Sequence, residues 1–414
     1  MENSHHSINM KVLIADLFSQ SALDSLASGG IQVVYDHQLN GESLRSALIA
    51  ENPQILVVRS TKVTADIISA SPSLEFIIRA GAGVDNIDTQ AASKHSIFVA
   101  NCPGKNSIAV AELVMGHILS VDRRLAENYA LLKQGKWNKG AFSESIGIKG
   151  RSLGIIGLGA IGKELAVRAK SFGMQILAVD PFVTQETAAS LGITLLNSVD
   201  DLAPLSDIIT FHVPSTPQTK GMINSSLISK CRENLVIINT SRGDIANEAE
   251  ILNELNSRPG FWYACDVYLG EPAAKECDFV HQLAQHPKVY GSHHIGASTK
   301  QAETAIGQEA LRMILMYAKT SKVDAGNLVN MQVRSNAKHA VVVRHSGQAL
   351  TGLLVKLSEK GCRVHEVENK AFKDGVAYLA TVYVDSENPE ALYQVVSEME
   401  GVEGVVNTKL VNLV

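Results

Sequence analysis

Aromatic side chains are scarce in this 414-residue sequence: they amount to 5% of it, and Trp occurs only twice. The apolar content, 45% of the residues, is therefore mainly aliphatic, as in an ordinary globular α/β protein. Positive charge is also in short supply. Thirty-seven Lys and Arg face 42 Asp and Glu, a net charge of −5, with the two signs interspersed and the pI near 6.2. No basic stripe is present, so the chain lacks the electrostatic footprint of a nucleic-acid binder. Cysteine is sparse and scattered: Cys102, Cys231, Cys265, Cys277 and Cys362 are odd in number and show no C-x-x-C spacing. That excludes a disulfide framework and gives no zinc ligand set, and it fits reduced thiols in a cytoplasm. No metal is expected. No uncharged apolar run approaches the roughly 20 residues that span a bilayer. The opening "MENSHHSINM" has neither a basic n-region nor an apolar h-region, so neither a secretory signal nor a membrane partner is expected.

The length exceeds what one core organises, so two or three domains are expected. From residue 10 to about 100, apolar runs such as "MKVLIAD", "IQVVYD", "QILVVRS" and "LEFIIRAG" alternate with amphipathic stretches. That alternation predicts a parallel sheet with crossover helices. A long helical pattern, "NSIAVAELVMGHILSVDRRLAENYALLKQGKW", follows Pro103; its length suggests a connector or dimer helix rather than a lobe interior. A second strand–helix series begins at Ser152 and ends in the helical "TKQAETAIGQEALRMILMYAK". Residues 321–337 lack a periodic core pattern and read as linker. From residue 338 the pattern is β-α-β-β-α-β, the split-βαβ arrangement.

"GLGAIG" places Gly157, Gly159 and Gly162 in G-x-G-x-x-G spacing between an apolar strand and a helix. Such glycines permit a tight turn, close approach of backbone to a pyrophosphate, and helix-on-strand packing; the helix N-terminus then faces the phosphates. Asp180 stands 18 residues after Gly162 at the end of "MQILAVD". Its carboxylate suits both adenosine ribose hydroxyls and would repel a 2′-phosphate, so NAD is expected over NADP.

Acid–base candidates stand at the ends of strands in the same series. Arg242 lies in "INTSRGD", and its planar fork matches a carboxylate. Glu271 lies in "DVYLGEP", and "SHHIGAST" sets His293 beside His294. Histidine fills many roles, and the pair alone does not say which ring moves a proton.

"NTSRGD", "ACDVYLGEP" and "HIGAST", together with "GLGAIG" and "RAGAGVDN", resemble the D-isomer-specific 2-hydroxyacid dehydrogenases over roughly residues 10–325. The resemblance implies a two-lobed α/β fold of doubly wound parallel sheets. Residues 1–103 and 294–325 would form a flavodoxin-like substrate lobe, and 104–293 a Rossmann NAD lobe. A linker, 326–337, would lead to a ferredoxin-like, ACT-type regulatory domain, 338–414. It also implies Arg242, Glu271 and His294 as the catalytic set, with His293 structural. The cofactor contacts carried over are Gly157, Gly159, Ala160, Ile161, Gly162, Asp180, His212, Pro214, Thr240, Ser241, Asp266 and Gly296. Ala82 and Gly83 would meet the substrate carboxylate through backbone, with Asn106 nearby. Arg59, Arg79 and Lys139 match the cations that members acting on phosphoglycerate use for phosphate, Lys139 by reaching across a dimer.

The expectation is thus an NAD-dependent enzyme oxidising 3-phosphoglycerate for serine synthesis, a homodimer or homotetramer whose C-terminal domain is either a module binding L-serine as effector or a dimerising module without one. Three features depart from the family pattern, one of them "IANEAEIL" in place of the usual "VDE" continuation. Ala160 replaces a basic residue frequent in "GLGRIG", and "HSG" replaces the Pro–Gly turn before the first C-terminal helix. Two alternatives stay open: a hydroxypyruvate or glyoxylate reductase, and a dinucleotide-sensing, corepressor-type binding protein.

Overall fold

The computed structural model describes residues 10–272, 276–331, 337–346, 349–372 and 377–413. Residues 1–9 of the opening segment, 332–336 of the expected linker and Gly347 of "HSG" lie outside the described residues. The chain divides into two compact units, 1–330 and 331–414.

The first unit contains two parallel sheets. Strands β1 (Lys11–Ile14), β2 (Gln32–Tyr35), β3 (Ile55–Val58), β4 (Phe76–Arg79) and β5 (Phe98–Ala100) pair in the order β2-β1-β3-β4-β5. That is the flavodoxin-like order. The central strands read "ILVV" and "FIIR" and are buried almost throughout, because crossover helices cover both faces of the sheet. Val12, Ile14, Val57 and Ile78 pack one face against Ile306, Ala310 and Met313 of the Lys300–Thr320 helix. Leu13, Leu56, Val58 and Ile77 pack the other against Leu44 and Leu48.

Strands β6 (Ser152–Ile156), β7 (Gln175–Val179), β8 (Thr194–Leu195), β9 (Ile208–Phe211), β10 (Leu235–Asn239), β11 (Phe261–Cys265) and β12 (Val289–Gly291) form the second sheet. Their order, β12-β11-β10-β9-β6-β7-β8, is the Rossmann order with one strand added, and it reverses direction between β6 and β9. Two sequence expectations change here. The helical stretch after Pro103 is two helices, Ser107–Arg123 and Leu125–Lys133, broken at Arg124, whose φ is 49°. The Arg124 guanidinium bonds Ala141 O at 3.0 Å and lies over the Phe142 ring, which holds the break. The first helix is lobe interior rather than a connector. Its apolar side chains cover more than one face, and Ala111, Val114, Met115 and Ile118 share a core with Ile155 and Leu165.

The expected linker also starts later than its composition suggests. Residues 327–330 are fastened to the first sheet: Val329 N bonds Val99 O, Asn101 N bonds Asn327 O, and Ala100 bridges Leu328. A pairing this short carries no periodicity to read.

The second unit is a four-stranded antiparallel sheet of β13 (His339–His345), β14 (Arg363–Ala371), β15 (Tyr378–Asp385) and β16 (Val405–Asn412), ordered β14-β15-β13-β16. Helices Ala349–Glu359 and Pro389–Met399 supply Leu353, Leu357, Leu392 and Val395 to a core with Val341, Val343 and Val382. The βαββαβ pattern is as expected. Among the described residues no helix is long and apolar enough to cross a membrane, and no three His, Cys, Asp or Glu side chains converge as metal ligands.

Candidate active site

In a parallel sheet every strand delivers its last residue to the same edge, and ligands of open α/β sheets bind there. Arg59 and Arg79 lie at the carboxyl ends of β3 and β4. Gly157, Asp180, His212, Arg242, Asp266 and His294 lie within three residues after β6, β7, β9, β10, β11 and β12.

Gly157 has φ 94°, and a Cβ there would stand 2.5 Å from His212 O. A Cβ on Gly162 would stand 2.3 Å from Gly157 O, whereas one on Gly159 would meet nothing within 4 Å. The loop is therefore tight underneath and open above, and Gly159 caps the Ala160–Ser171 helix with its first N–H groups free to face an anion. Asp180 accepts from Leu158 N and Phe182 N, each at 2.8 Å. It holds the glycine loop from the side, and each oxygen keeps a lone pair for a further donor. His212 Nδ1 and Thr240 Oγ1 are buried and find no partner among the described residues. Burial holds the His212 imidazole neutral, with its pKa near 3. Ser241 is committed to Asn239 Oδ1, and Pro214 O accepts from Thr219. A cradle of this shape, with unpaired donors and acceptors at its rim, fits a dinucleotide.

His294 Nδ1 lies 2.6 Å from Glu271 Oε1. That hydrogen bond, with the Glu271 charge, outweighs burial and raises the His294 pKa above the ordinary value. Burial pulls the Glu271 carboxyl up, but the same bond and the His294 charge leave its pKa below the carboxylate range. Both shifts favour an imidazolium–carboxylate pair. The His294 backbone is left-handed, φ 52°, a conformation that costs a non-glycine residue about 1–3 kcal/mol and recurs at functional sites. His294 N bonds Asp266 O at 2.8 Å, and the Asp266 carboxylate accepts from Ser292 Oγ, Ile295 N and Gly296 N at 2.6–2.9 Å. Asp266 and Gly296, expected to touch the cofactor, thus build the turn that presents His294. His293 is exposed, and its side chain makes no hydrogen bond or ion pair among the described residues.

Arg242 meets the first lobe directly. Its Nε and Nη2 bond Asp85 Oδ2 at 2.9 and 2.8 Å, and a Cβ on Gly83 would lie 2.1 Å from Nη2. Arg79 has a buried Nε without a partner among the described residues. Desolvation, then the charges of Arg242 and Arg59, depress its pKa, so three guanidinium groups stand within electrostatic reach of one another. Arg59 bonds Glu303 at 2.9 Å. Asp16 fixes the loop carrying Arg59 by accepting from the N–H groups of Arg59, Ser60 and Thr61. Asn101 Nδ2 bonds Ala82 O, and Asn106 Oδ1 is buried without a partner among the described residues. Lys139 is exposed on the loop after the Leu125–Lys133 helix, and no contact with these arginines is seen. Asp16, Asp85 and Glu303 escaped the sequence reading, since each pairs with residues far away along the chain.

Residues 115–296 match the family described as D-isomer specific 2-hydroxyacid dehydrogenase, NAD binding domain. The chain is 38% identical over 329 residues to D-3-phosphoglycerate dehydrogenase of Sus scrofa, covering 79% of this chain and 60% of that protein. It is 36% identical over 323 residues to the protein of that name from Methanocaldococcus jannaschii, covering 78% and 60%. The chain thus spans about three-fifths of the length of these relatives. A crystal structure of NAD+-bound 3-phosphoglycerate dehydrogenase in Entamoeba histolytica superposes with a TM-score of 0.63 at 28% identity, covering 76% of this chain and 97% of that one. A glycine cradle, a histidine held by a glutamate and an arginine reaching over the cleft agree with these likenesses, and residues 115–296 match the NAD-binding domain of the D-isomer-specific 2-hydroxyacid dehydrogenases.

Proposed function

We propose that this protein is an NAD-dependent dehydrogenase that oxidises 3-phospho-D-glycerate to 3-phosphohydroxypyruvate in the cytoplasm, opening the phosphorylated route to L-serine. The observation that carries the substrate is the trio Arg59, Arg79 and Arg242, with Arg79 unpaired among the described residues. A partly desolvated guanidinium without an ion pair among the described residues is costly, and a substrate with a carboxylate at one end and a phosphate at the other supplies negative charge to the trio. The relatives' names point the same way.

Bound NAD would supply the hydride acceptor for C2, held by the glycine loop, Asp180 and Thr240. Glu271 keeps the Nδ1 proton of His294 in place, so Nε2 is the atom that takes the C2 hydroxyl proton. The resulting imidazolium is the form that the Glu271 bond favours. Arg242 grips the carboxylate and stabilises charge on the developing carbonyl oxygen, beside the Ala82–Gly83 backbone. Arg79, with Arg59, holds the phosphate. In the reductive direction the same imidazolium returns its proton.

NADH oxidation with phosphohydroxypyruvate, compared with hydroxypyruvate and glyoxylate, tests the reading. Preference for the unphosphorylated acids would make the protein a hydroxypyruvate or glyoxylate reductase. NADH binding without turnover would make it a dinucleotide sensor.

Asp180→Ala should weaken NAD binding and bring the NAD and NADP preferences together. It removes the ribose acceptor, the repulsion of a 2′-phosphate and the brace on Leu158 N. Equal losses on the two cofactors, with their ratio intact, would reduce Asp180 to a loop brace.

The second unit reads as an ACT-type association and effector module. His345, buried, bonds Asn369 Oδ1 at 3.1 Å and stacks on Tyr378, and its Nδ1 has no partner among the described residues. Truncation at residue 337 should lower the oligomer size measured by light scattering and abolish inhibition by L-serine. Inhibition that survives truncation would put the effector elsewhere.

A further inference from the structure

We infer that Asp85 is the positioning residue for Arg242, holding it from the opposite lobe so that its outer edge is left to grip the substrate. The inference rests on the reading of Arg242 as the carboxylate anchor, and it extends that role to a residue outside the catalytic set.

An arginine carries five N–H donors in a fixed plane. Asp85 Oδ2 takes the side edge, Nε and Nη2, at 2.9 and 2.8 Å, and Ser241 O takes one proton of Nη1 at 2.7 Å. One proton each on Nη1 and Nη2 remains, enough for a two-point grip on a second carboxylate. Asp85 itself is firmly placed. It follows β4 in a loop where Asn86 Nδ2 bonds Thr61 O and Val63 N bonds Asn86 O, while Val63 bridges Ile87. Asn86 and Asp85 therefore register Arg242 against the segment that carries Arg59.

Gly83 makes the pairing possible. A Cβ there would stand 2.1 Å from Arg242 Nη2 and 3.0 Å from Asp85 Oδ2. The Asp85 side chain is 69% exposed, so as an isolated surface ion pair it would add little to folding stability. Its value lies in orientation.

A carboxylate beside an anion site has two opposing effects. Its charge repels a bound anion, and its hydrogen bonds orient the arginine that attracts one. Two substitutions separate them. Asp85→Asn removes the charge and keeps an acceptor oxygen; Asp85→Ala removes both.

The probe is oxalate, titrated into the full-length protein saturated with NADH and followed by cofactor fluorescence. Orientation predicts that D85A binds oxalate about tenfold more weakly than wild type, although loss of repulsion alone would tighten it. D85N should bind at least as tightly as wild type. In an Arg242→Ala background, D85A should have no further effect. The melting temperatures of the Asp85 variants should match that of wild type.

Oxalate binding by D85A as tight as wild type or tighter would overturn the inference and make Asp85 a competitor for the site. A D85A effect that persists without Arg242, or a wild-type protein that does not bind oxalate, would overturn it as well. Failure of the substrate assignment looks different: phosphohydroxypyruvate would not be turned over, while the Asp85–Arg242 coupling in oxalate binding remained.

Discussion

Replacing His294 with Asn should lower turnover by about 10²–10⁴-fold while leaving NADH binding nearly unchanged. Asn is the informative choice because it tolerates the left-handed backbone found at this position, φ 52°. The turn built by Asp266 should therefore survive, and only the titrating ring is lost. Steady-state reduction of phosphohydroxypyruvate gives the turnover, and fluorescence titration gives the NADH affinity. His293→Asn is the control and should be silent, since that side chain is exposed and without partners among the described residues. The reverse pattern would assign the proton to the wrong histidine.

The pH profile adds a second readout. Oxidation needs His294 neutral, so its kcat/KM should rise with pH through a pKa lying above that of an ordinary histidine. Glu271→Gln weakens the preference for imidazolium and should shift that limb to lower pH. The reductive limb, which needs the imidazolium, should fall away at lower pH too. A limb unmoved by the Glu271 change would detach it from the histidine.

Arg79→Ala should raise KM for the phosphorylated substrate by about ten- to a hundredfold, from the roughly 1.5–3 kcal/mol of a charge-assisted bond. KM for hydroxypyruvate should change far less. Arg59→Ala should do the same more weakly, because Glu303 already occupies one of the Arg59 donors at 2.9 Å. The removal of Arg79 should leave the fold intact or slightly more stable. Its desolvated charge, pressed by two other guanidinium groups, works against the ligand-free protein. A loss shared equally by both substrates would assign Arg79 to the carboxylate or to folding.

The sequence made the parts of this site legible that depend on residue type and order. Aliphatic runs ending in glycine, arginine or histidine located the strands, and "GLGAIG" placed the cradle because only glycine tolerates the 2.5 and 2.3 Å approaches at positions 157 and 162. Spacing could not reveal pairings across the cleft. Asp85 and Arg242 are 157 residues apart, and Arg59 and Glu303 are 244 apart; nothing local marks either acid. The resemblance offered Asp266 as a cofactor contact; its hydrogen bonds to Ser292, Ile295 and Gly296 are a further role that only the folded turn shows. The break at Arg124 was hidden because it uses neither Gly nor Pro and relies on Ala141 and Phe142 farther along the chain.

The Asp266 clasp has a kinematic consequence. Ser292 N bonds Cys265 O, His294 N bonds Asp266 O, and the Asp266 carboxylate holds Ile295 and Gly296. His294 is thereby bolted to the body that carries the glycine loop, although its chain is already leaving for the Lys300–Thr320 helix on the other sheet. Any pivot on this crossing lies beyond residue 296. Opening or closing the cleft should then leave the backbone of residues 292–296 in place relative to the glycine cradle. Proton acceptor and dinucleotide seat share one coordinate frame, and misalignment is confined to a single relative motion, that of the lobe bearing Arg59 and Arg79.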